Sequence, residues 1–284
     1  MKIEELMSIA SEFLETSPDN YIKKEDAISE KSVGIKIFES PIFAFGSIKD
    51  EYFKKLKKNY AIGDHFNLPI EWLPEGKTVI SYFLPFSDAV KEGNSKCITW
   101  PSEEWLHGRI EGQIMLNKLS LFLRNKLINE EYSSIIPSLD DRFWSKGKND
   151  IYSKEENSNQ KKGLSFTSNW SERHVAFVCG LGTFGLSRGL ITKKGIAGRF
   201  GSIITELELT PTKREYKDIY EYCTKCGECI SQCPVDAISY EKGKNHEICS
   251  KFLDEIKTKF KPRYGCGKCQ VNVSCESSIP LNEY

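Results

Sequence analysis

The sequence has no excess charge of either sign and no long apolar run. Its 284 residues include 40 Lys and Arg against 40 Asp and Glu, which gives a formal net charge of zero. A general nucleic-acid binder needs clustered cationic charge to neutralise phosphates, so this balance argues against that class. No apolar stretch approaches the roughly 20 residues of a membrane helix, and the N-terminus predicts an amphipathic helix, not a signal peptide. We therefore expect a cytoplasmic protein without a membrane partner.

Cysteine is scarce in the first 222 residues, where Cys97 and Cys179 are the two examples. The other eight of the ten cysteines follow in the last part of the chain, at Cys223, Cys226, Cys229, Cys233, Cys249, Cys266, Cys269 and Cys275. Such crowding in a reducing compartment indicates metal ligation rather than disulfides. Cys179 follows three apolar residues and is expected to be a buried structural thiol. Cys97 lies in a loop region and has no predicted role.

Apolar periodicity predicts a mixture of helices and strands. Helices are expected over 2–15, 49–60, 102–128, 170–179 and 247–260, and strands over 33–38, 78–86, 190–192 and 202–207. Ser102 is expected to cap the long helix, and Ser47 the helix over 49–60. His107 and Arg109 lie on the long helix and are expected in the core or at the surface. Residues 140–163 are polar and aperiodic, which predicts a mobile loop or lid.

The composition changes near Pro211. Before it lies a glycine-rich stretch, and after it cysteine-bearing loops alternate with short helices. We therefore predict two domains, covering residues 1–212 and residues 213–284. The content of 39% hydrophobic and 12% aromatic residues predicts a folded chain and argues against intrinsic disorder.

The first cysteine group has the spacing of a bacterial ferredoxin. Cys223-x2-Cys226-x2-Cys229-x3-Cys233-Pro234 sets three thiolates close enough to wrap three corners of one iron–sulfur cube. The proline redirects the chain, so the fourth cysteine leaves for a second cluster. Zinc is the alternative metal, but it prefers two separated cysteine pairs, which this close triple does not provide. The spacing therefore predicts 4Fe–4S binding.

The second cysteine group does not repeat the first spacing. Eight ligands nevertheless suffice for two cubes of four. Because Cys233 crosses to the second cube, the first cube must recruit a distant cysteine, and Cys275 can return to it. We therefore predict two 4Fe–4S clusters, the first held by Cys223, Cys226, Cys229 and Cys275, and the second by Cys233, Cys249, Cys266 and Cys269.

These cysteines, with the upstream segments Ser171-Glu172-Arg173-His174 and Gly180-Leu181-Gly182, resemble epoxyqueuosine reductase over roughly residues 168–275. That family consists of cobalamin-dependent iron–sulfur reductases related to the reductive dehalogenases. The resemblance implies an α+β fold, with an N-terminal α/β, nitroreductase-like domain that holds cobalamin against a C-terminal ferredoxin-like domain with two clusters. It also implies the cysteine assignment given above. A ferredoxin or flavodoxin would supply electrons, which pass through the clusters to cobalt and a small-molecule substrate.

The same resemblance places the glycine-rich stretch beside the corrin, because backbone without a Cβ can approach a flat macrocycle. The cofactor-binding candidates are Gly180, Gly182, Thr183, Phe184, Gly185 and Arg199, of which the arginine could bind an anionic group such as a corrin side chain or a phosphate. A dinucleotide site is not expected there, because the glycines follow a helix rather than a strand.

Three consecutive residues are candidates for catalysis. Glu172, Arg173 and His174 start a helix beside the glycine stretch, where they could line the substrate or corrin pocket, with His174 as a proton donor. The alternative is a capped helix start with ordinary surface charges. Seven residues before Arg173, where the family has an acidic proton donor, this sequence has Phe166.

The expected substrate is a small molecule rather than transfer RNA. The chain ends soon after the cysteines and has no helical-repeat extension of the kind that the family uses for transfer RNA. Two other functions stay open at this point. One is an electron-transfer protein that reduces a partner, such as a corrinoid protein, without a catalytic corrinoid of its own. The other is an iron–sulfur protein with a structural or regulatory role.

Overall fold

The computed structural model describes residues 2–146 and 164–281. The helices are α1 (Ile3–Thr16), α2 (Glu51–Leu56), α3 (Pro69–Trp72), α4 (Asp88–Ser95), α5 (Glu103–Asn129), α6 (Glu172–Cys179), α7 (Glu228–Ser231) and α8 (His246–Lys259). The strands are β1 (Ile42–Ser47), β2 (Thr78–Pro85), β3 (Ser134–Ile135), β4 (Ser145–Lys146), β5 (Thr167–Ser168), β6 (Gly182–Phe184), β7 (Leu190–Thr192), β8 (Gly198–Thr205), β9 (Ile238–Ser239) and β10 (Gly243–Lys244). The predicted mixture of helix and strand is confirmed.

The main sheet is antiparallel, with the strand order β1-β2-β8-β3. Its central strand β2 is buried along its whole length. Alternate side chains of a strand point to opposite faces. Ile80 and Tyr82 accordingly pack in a core with α1 and α5, whereas Val79 and Phe83 pack in a second core with α2 and α6. Burial on both faces explains why this strand is the strongest strand pattern in the first half of the sequence.

Most predicted elements lie near their expected bounds, and two details were wrong. Ser102 caps α5, because its Oγ accepts a hydrogen bond from the backbone N–H of Trp105 at 3.2 Å. The predicted strand over 33–38 is not a strand, since Lys36 and Phe38 make only isolated bridges. The cap of α2 is Asp50, not Ser47, because the aspartate directly precedes the first helical turn.

The segment after β8 runs along the edge of the main sheet before it reaches the cysteines. The backbone N–H of Thr212 donates to the carbonyl of Phe45 at 2.8 Å, and Phe45 N–H donates to the Thr212 hydroxyl at 3.0 Å. Arg214 then pairs with Asp50 at 2.6 Å. The predicted domain boundary after residue 212 stays a prediction, as does the part of the predicted 140–163 loop that lies outside the described residues.

Helix α8 packs back on the beginning of α5. Phe252 and Ile256 form a small core with Leu106, against which Trp100 stacks on Phe252 with ring centroids 5.5 Å apart. This packing brings the cysteine-rich part of the chain beside the main sheet. In the described ranges, no helix combines the length and apolarity that crossing a bilayer requires.

Candidate metal and cofactor site

The structure collects the eight late cysteines into two groups of four. The first group lines a small, almost entirely apolar pocket and comprises Cys223, Cys226, Cys229 and Cys275. Burial, reinforced by the neighbouring thiols, raises the pKa of Cys229 and of Cys275 to about 12. Thiols in such a setting stay protonated unless a cation stabilises the thiolates, so the pocket suits a positively charged metal core.

Local backbone geometry creates the first pocket. Lys225 and Gly227 both have positive φ, at 57° and 86°, so the chain coils tightly between the cysteines. The φ of Gly227 is one that other residues rarely adopt, and a Cβ there would also lie 2.0 Å from the Tyr240 hydroxyl. Gly185 lies on the other side, and a Cβ there would be 3.8 Å from the Cys223 sulfur.

The second group of four forms one wall of a large cavity. Its members are Cys233, Cys249, Cys266 and Cys269. Burial comes first among the causes that raise the pKa of Cys266 to about 12 and that raise the pKa of Cys269. The backbone N–H of Ala237 donates to the Cys233 sulfur at 3.2 Å, a contact of the kind that tunes cluster potentials.

The two groups are those that the spacing predicts. Within residues 2–146 and 164–281, no three His, Cys, Asp or Glu side chains gather closely enough to hold a single metal ion. The thiols instead surround two pockets, and a cube holds its four sulfurs farther apart than one ion does. The four thiols at each pocket are the donor set that a 4Fe–4S cube requires. That they bind clusters stays a prediction.

The cavity beside the second group has a volume of about 770 Å³. Ligand sites commonly enclose roughly 300–1,000 Å³, so this one is large enough for a bulky cofactor. Another part of its wall is a stripe of α5 side chains spaced four residues apart, which are Trp105, Arg109, Gln113 and Asn117. The buried Nε1 of Trp105 and Nε of Arg109 lack a hydrogen-bond partner among the described residues.

Two glycines seat the second cysteine loop against α5. Gly265 and Gly267 have φ values of +113° and +68°. A Cβ on Gly267 would lie 1.9 Å from the Trp105 ring, and one on Gly265 would lie 2.6 Å from Arg109. The glycines thus let the loop that carries Cys266 touch the cavity wall directly.

Glu172 and Arg173 line the cavity, in agreement with the position expected for them. Burial raises the pKa of Glu172 to about 7. Ser138, Ser202 and Trp170 lie near its carboxylate and oppose the shift, yet neither oxygen makes a well-aligned hydrogen bond. Arg173 lies deep in the molecule but keeps an accessible side chain, because the cavity opens onto it.

His174 does not line the cavity. His174 follows Arg173 directly on the helix. Its ring packs against Phe184, with centroids 4.9 Å apart, and its Nδ1 lies 2.8 Å from the Ser171 hydroxyl. Burial, and then the charge of Arg173, lower the pKa of His174 to about 4. The geometry gives no support to His174 as a proton donor, because the helix rotates it away from the open space.

The glycine-rich stretch also lies elsewhere than expected. Gly180 caps α6 with a φ of 106°, and Gly182 starts β6, where a Cβ would lie 1.9 Å from the Ile191 carbonyl. Phe184 is buried, and the Thr183 hydroxyl accepts a hydrogen bond from Tyr222 N–H at 2.8 Å. This stretch therefore braces the first cysteine loop instead of touching the cavity, and Gly185 borders the first pocket. Of the cofactor-binding candidates, Arg199 is the one that lines the cavity.

Sequence reasoning missed the α5 stripe and misjudged Arg109. The stripe is visible in the sequence as a four-residue repeat on a predicted helix, but the same repeat is also typical of an ordinary core face. The expectation for His107 holds. Its Nε2 accepts from Ile28 N–H at 3.1 Å and its Nδ1 lies 2.9 Å from Glu111, so it is structural.

The two remaining cysteines lie outside both groups. Cys179 is buried as expected, and its thiol donates to the Val79 carbonyl at 3.7 Å. Cys97 is exposed, and backbone hydrogen bonds from Trp100 and Thr99 lower its pKa.

Fold and site together define a protein with a 4Fe–4S binding domain beside a large cavity. The family model of the 4Fe–4S binding domain matches residues 216–239, which span the first four cysteines of the ferredoxin spacing. The structure resembles epoxyqueuosine reductase from Streptococcus thermophilus, with a TM-score of 0.51 and 17% identity, over 99% of this chain and 69% of that one. The fold is therefore that of epoxyqueuosine reductase, as the resemblance in sequence implied.

Reductive dehalogenases share this fold and part of the sequence. A catabolic reductive dehalogenase in complex with 3-bromo-4-hydroxybenzoic acid matches with a TM-score of 0.52 and 12% identity, over 84% of this chain and 30% of that one. The tetrachloroethene reductive dehalogenase of Desulfitobacterium hafniense is 41% identical over 69 residues. That match covers 24% of this chain and 12% of the dehalogenase, so the chain corresponds to a small part of this relative.

Proposed function

We propose that this protein is an iron–sulfur reductase that passes electrons through two 4Fe–4S clusters to a cobalamin and a small-molecule substrate in the large cavity. The observation that carries the proposal is that four cysteines form a wall of that cavity. A cluster bound to them would lie in contact with whatever fills the space. The relatives are reductases by name, which supports the same class of chemistry.

The first cysteine group is the proposed entry point for electrons. Cys226 is exposed, whereas Cys269 of the second group lies deep in the protein beside the cavity. A redox donor such as a ferredoxin or flavodoxin can therefore approach the first group. The second group has no exposed cysteine and faces the cavity. Electron flow from surface to cavity follows from this order.

The cavity walls fit a large polar cofactor. Trp105 and Arg109 contribute polar side chains to its wall, and Phe200 and Leu116 add apolar surface. These residues would hold a cobalamin, which supplies a strongly reducing metal when bound.

Glu172 is the proposed proton source. Its buried carboxyl has a pKa of about 7, so it keeps a proton to near-neutral pH at the wall of the cavity. Phe166, at the position of the family's acid, cannot do so. Its ring stacks on His246, with centroids 5.4 Å apart, and closes this side of the cavity.

Anaerobic purification followed by visible spectroscopy tests the proposal. Iron and cobalt contents are measured, and spectra are recorded before and after hydroxocobalamin is added. Two clusters with a spectral shift and near-stoichiometric cobalt are expected. Two clusters without any shift would exclude a resident corrinoid and favour the electron-transfer protein. Reduction of the clusters by reduced flavodoxin tests the proposed donor.

A further inference from the structure

Two arginines from different elements lie together at one side of the large cavity. Arg109 comes from the α5 stripe, and Arg199 comes from β8, where it is paired in register with Leu84. Burial, and then the positive charge of Arg109, lower the pKa of Arg199 to about 9. Two like charges that face the same cavity repel each other, and an anion bound between them would offset this cost.

Neither guanidinium has an acidic partner. In residues 2–146 and 164–281, no salt bridge involves Arg109 or Arg199, and the Nε atoms of both are buried without a hydrogen bond. Glu172 is the one acidic residue that lines the described part of the cavity, and its carboxylate lies near Ser138 and Ser202. The two positive charges are therefore uncompensated by the described residues.

The pair is held in place by its neighbours. The Gln113 side-chain oxygen accepts a hydrogen bond from Arg199, and the Gln113 amide donates to Asn117 at 2.7 Å. The Tyr264 ring lies under the Arg109 guanidinium, 4.9 Å from its centroid, and Gly265 packs against the same side chain. Both guanidinium groups are therefore oriented before any ligand arrives, which lowers the entropic cost of binding.

We propose that Arg109 and Arg199 form a binding site for a phosphate or carboxylate group within the cavity. Planar guanidinium groups bind such anions through paired, charge-assisted hydrogen bonds. The site rests on the proposed function in that it would hold the anionic part of a substrate or of the cofactor beside the second cysteine group. It defines the ligand of this cavity as an anion.

Binding of inorganic phosphate to the cluster-loaded protein tests the site without any measurement of activity. Isothermal titration compares the parent protein with Arg109→Gln, Arg199→Gln and Arg199→Lys. The control is Arg124→Gln, which lies on the same helix but does not line the cavity. Each glutamine variant should weaken phosphate binding by about 10- to 100-fold. Arg199→Lys keeps the positive charge but loses the planar guanidinium group, so we expect a smaller loss of phosphate affinity.

Two further titrations identify the source of the anion. If phosphate still binds after hydroxocobalamin is added, the pair serves the substrate. If cobalamin blocks phosphate but cobinamide, which lacks the nucleotide phosphate, does not, the pair serves the cofactor. Unchanged phosphate affinity in both Arg109→Gln and Arg199→Gln overturns the site, as does an equal loss in Arg124→Gln. A protein that binds no cobalamin contradicts the proposed function alone, because the phosphate titration is then still decisive.

Discussion

The ammonium group of Lys268 donates hydrogen bonds to the backbone carbonyl of Asn94 at 2.6 Å and to the Asn94 side-chain oxygen at 3.3 Å. Lys268 is buried, and it lies between Cys266 and Cys269 of the second cysteine group. The Asn94 amide donates in turn to the Cys266 carbonyl at 3.1 Å. One asparagine at the end of α4 thus anchors the loop that completes the wall of the cavity.

Replacement of this asparagine should destabilise the second cysteine loop. In Asn94→Ala, the Cys266 carbonyl and the Ser102 backbone N–H each lose their partner, while Lys268 keeps its bond to the backbone carbonyl of residue 94. We expect unfolding free energy to fall by about 1–3 kcal/mol, since unsatisfied buried groups carry their desolvation cost. Anaerobic denaturation with urea, followed by fluorescence, measures the change. The exposed Asn125→Ala is the control, and equal stability of the two variants would contradict the anchoring role.

The assignment of cysteines to two clusters predicts how iron is lost in pairs of substitutions. Cys223→Ser combined with Cys275→Ser removes two ligands of one cube and should leave half of the iron. Cys223→Ser combined with Cys249→Ser removes one ligand from each cube and should leave little or none. Iron analysis and the visible spectrum give the result.

The control for this series is Cys179→Ala, which lies outside both groups and should retain all of the iron. If the Cys223 and Cys275 double variant lost as much iron as the Cys223 and Cys249 one, the assignment would be wrong.

Stability should depend on pH through Glu172. Burial raises its pKa from 4.5 to about 7, so the folded chain keeps a proton that the unfolded chain has already released. The stability that this group contributes is therefore present below about pH 4.5 and is lost as the pH rises to about 7. Glu172→Gln has no such proton to lose. The unfolding free energy of this variant should therefore rise relative to that of the parent by about 2 kcal/mol between roughly pH 5.5 and 8.5.

Urea denaturation across this pH range checks the effect of Glu172. Glu12→Gln is the control, because it makes the same chemical change at an exposed position on α1, far from the cavity lining. Parallel stability curves for Glu172→Gln and the parent would refute the raised pKa and, with it, the proposed proton source.

Gly267 should tolerate no side chain. Its φ of +68° disfavours any other residue, and a Cβ would lie 1.9 Å from the Trp105 ring. Gly34 has a similar φ of +79° with nothing within 4 Å, so Gly34→Ala measures the backbone strain alone. We expect a cost of about 1–2 kcal/mol for Gly34→Ala and a larger one for Gly267→Ala.

The larger cost at Gly267 should appear together with loss of the second cluster, because the displaced loop carries Cys266. Denaturation and the iron content of both alanine variants provide the comparison. A Gly267→Ala protein that is as stable as Gly34→Ala and retains full iron would show that the loop can move away from α5 without harm.

Local sequence was sufficient to predict the chemistry of the cysteines and the principal elements. The ferredoxin spacing predicts three thiols around one iron–sulfur cube, and the match of residues 216–239 to the 4Fe–4S binding domain agrees with it. The pattern over 78–86 predicts a strand because β2 is buried on both faces. The Ser102 cap followed by two acidic residues predicts the start of α5. Each of these signals resides in neighbouring residues.

Residue types alone could not place the catalytic candidates. Glu172, Arg173 and His174 are consecutive, but a helix advances by about 100° per residue. The first two therefore line the cavity while the third packs on Phe184. The glycine stretch was similarly ambiguous, because Gly182 permits a close approach of backbone whether the neighbour is a corrin or, as found, the Ile191 carbonyl.

The sequence by itself determined the cysteine spacing that matches a 4Fe–4S binding domain and which segments form helices or strands, because those properties depend on spacing over a few residues. The tertiary structure decided which side chains line the cavity. Arg109 and Arg199 are separated by 90 positions, and they meet because α5 packs across β8. Contacts between distant segments depend on the packing of whole elements, which no local pattern encodes.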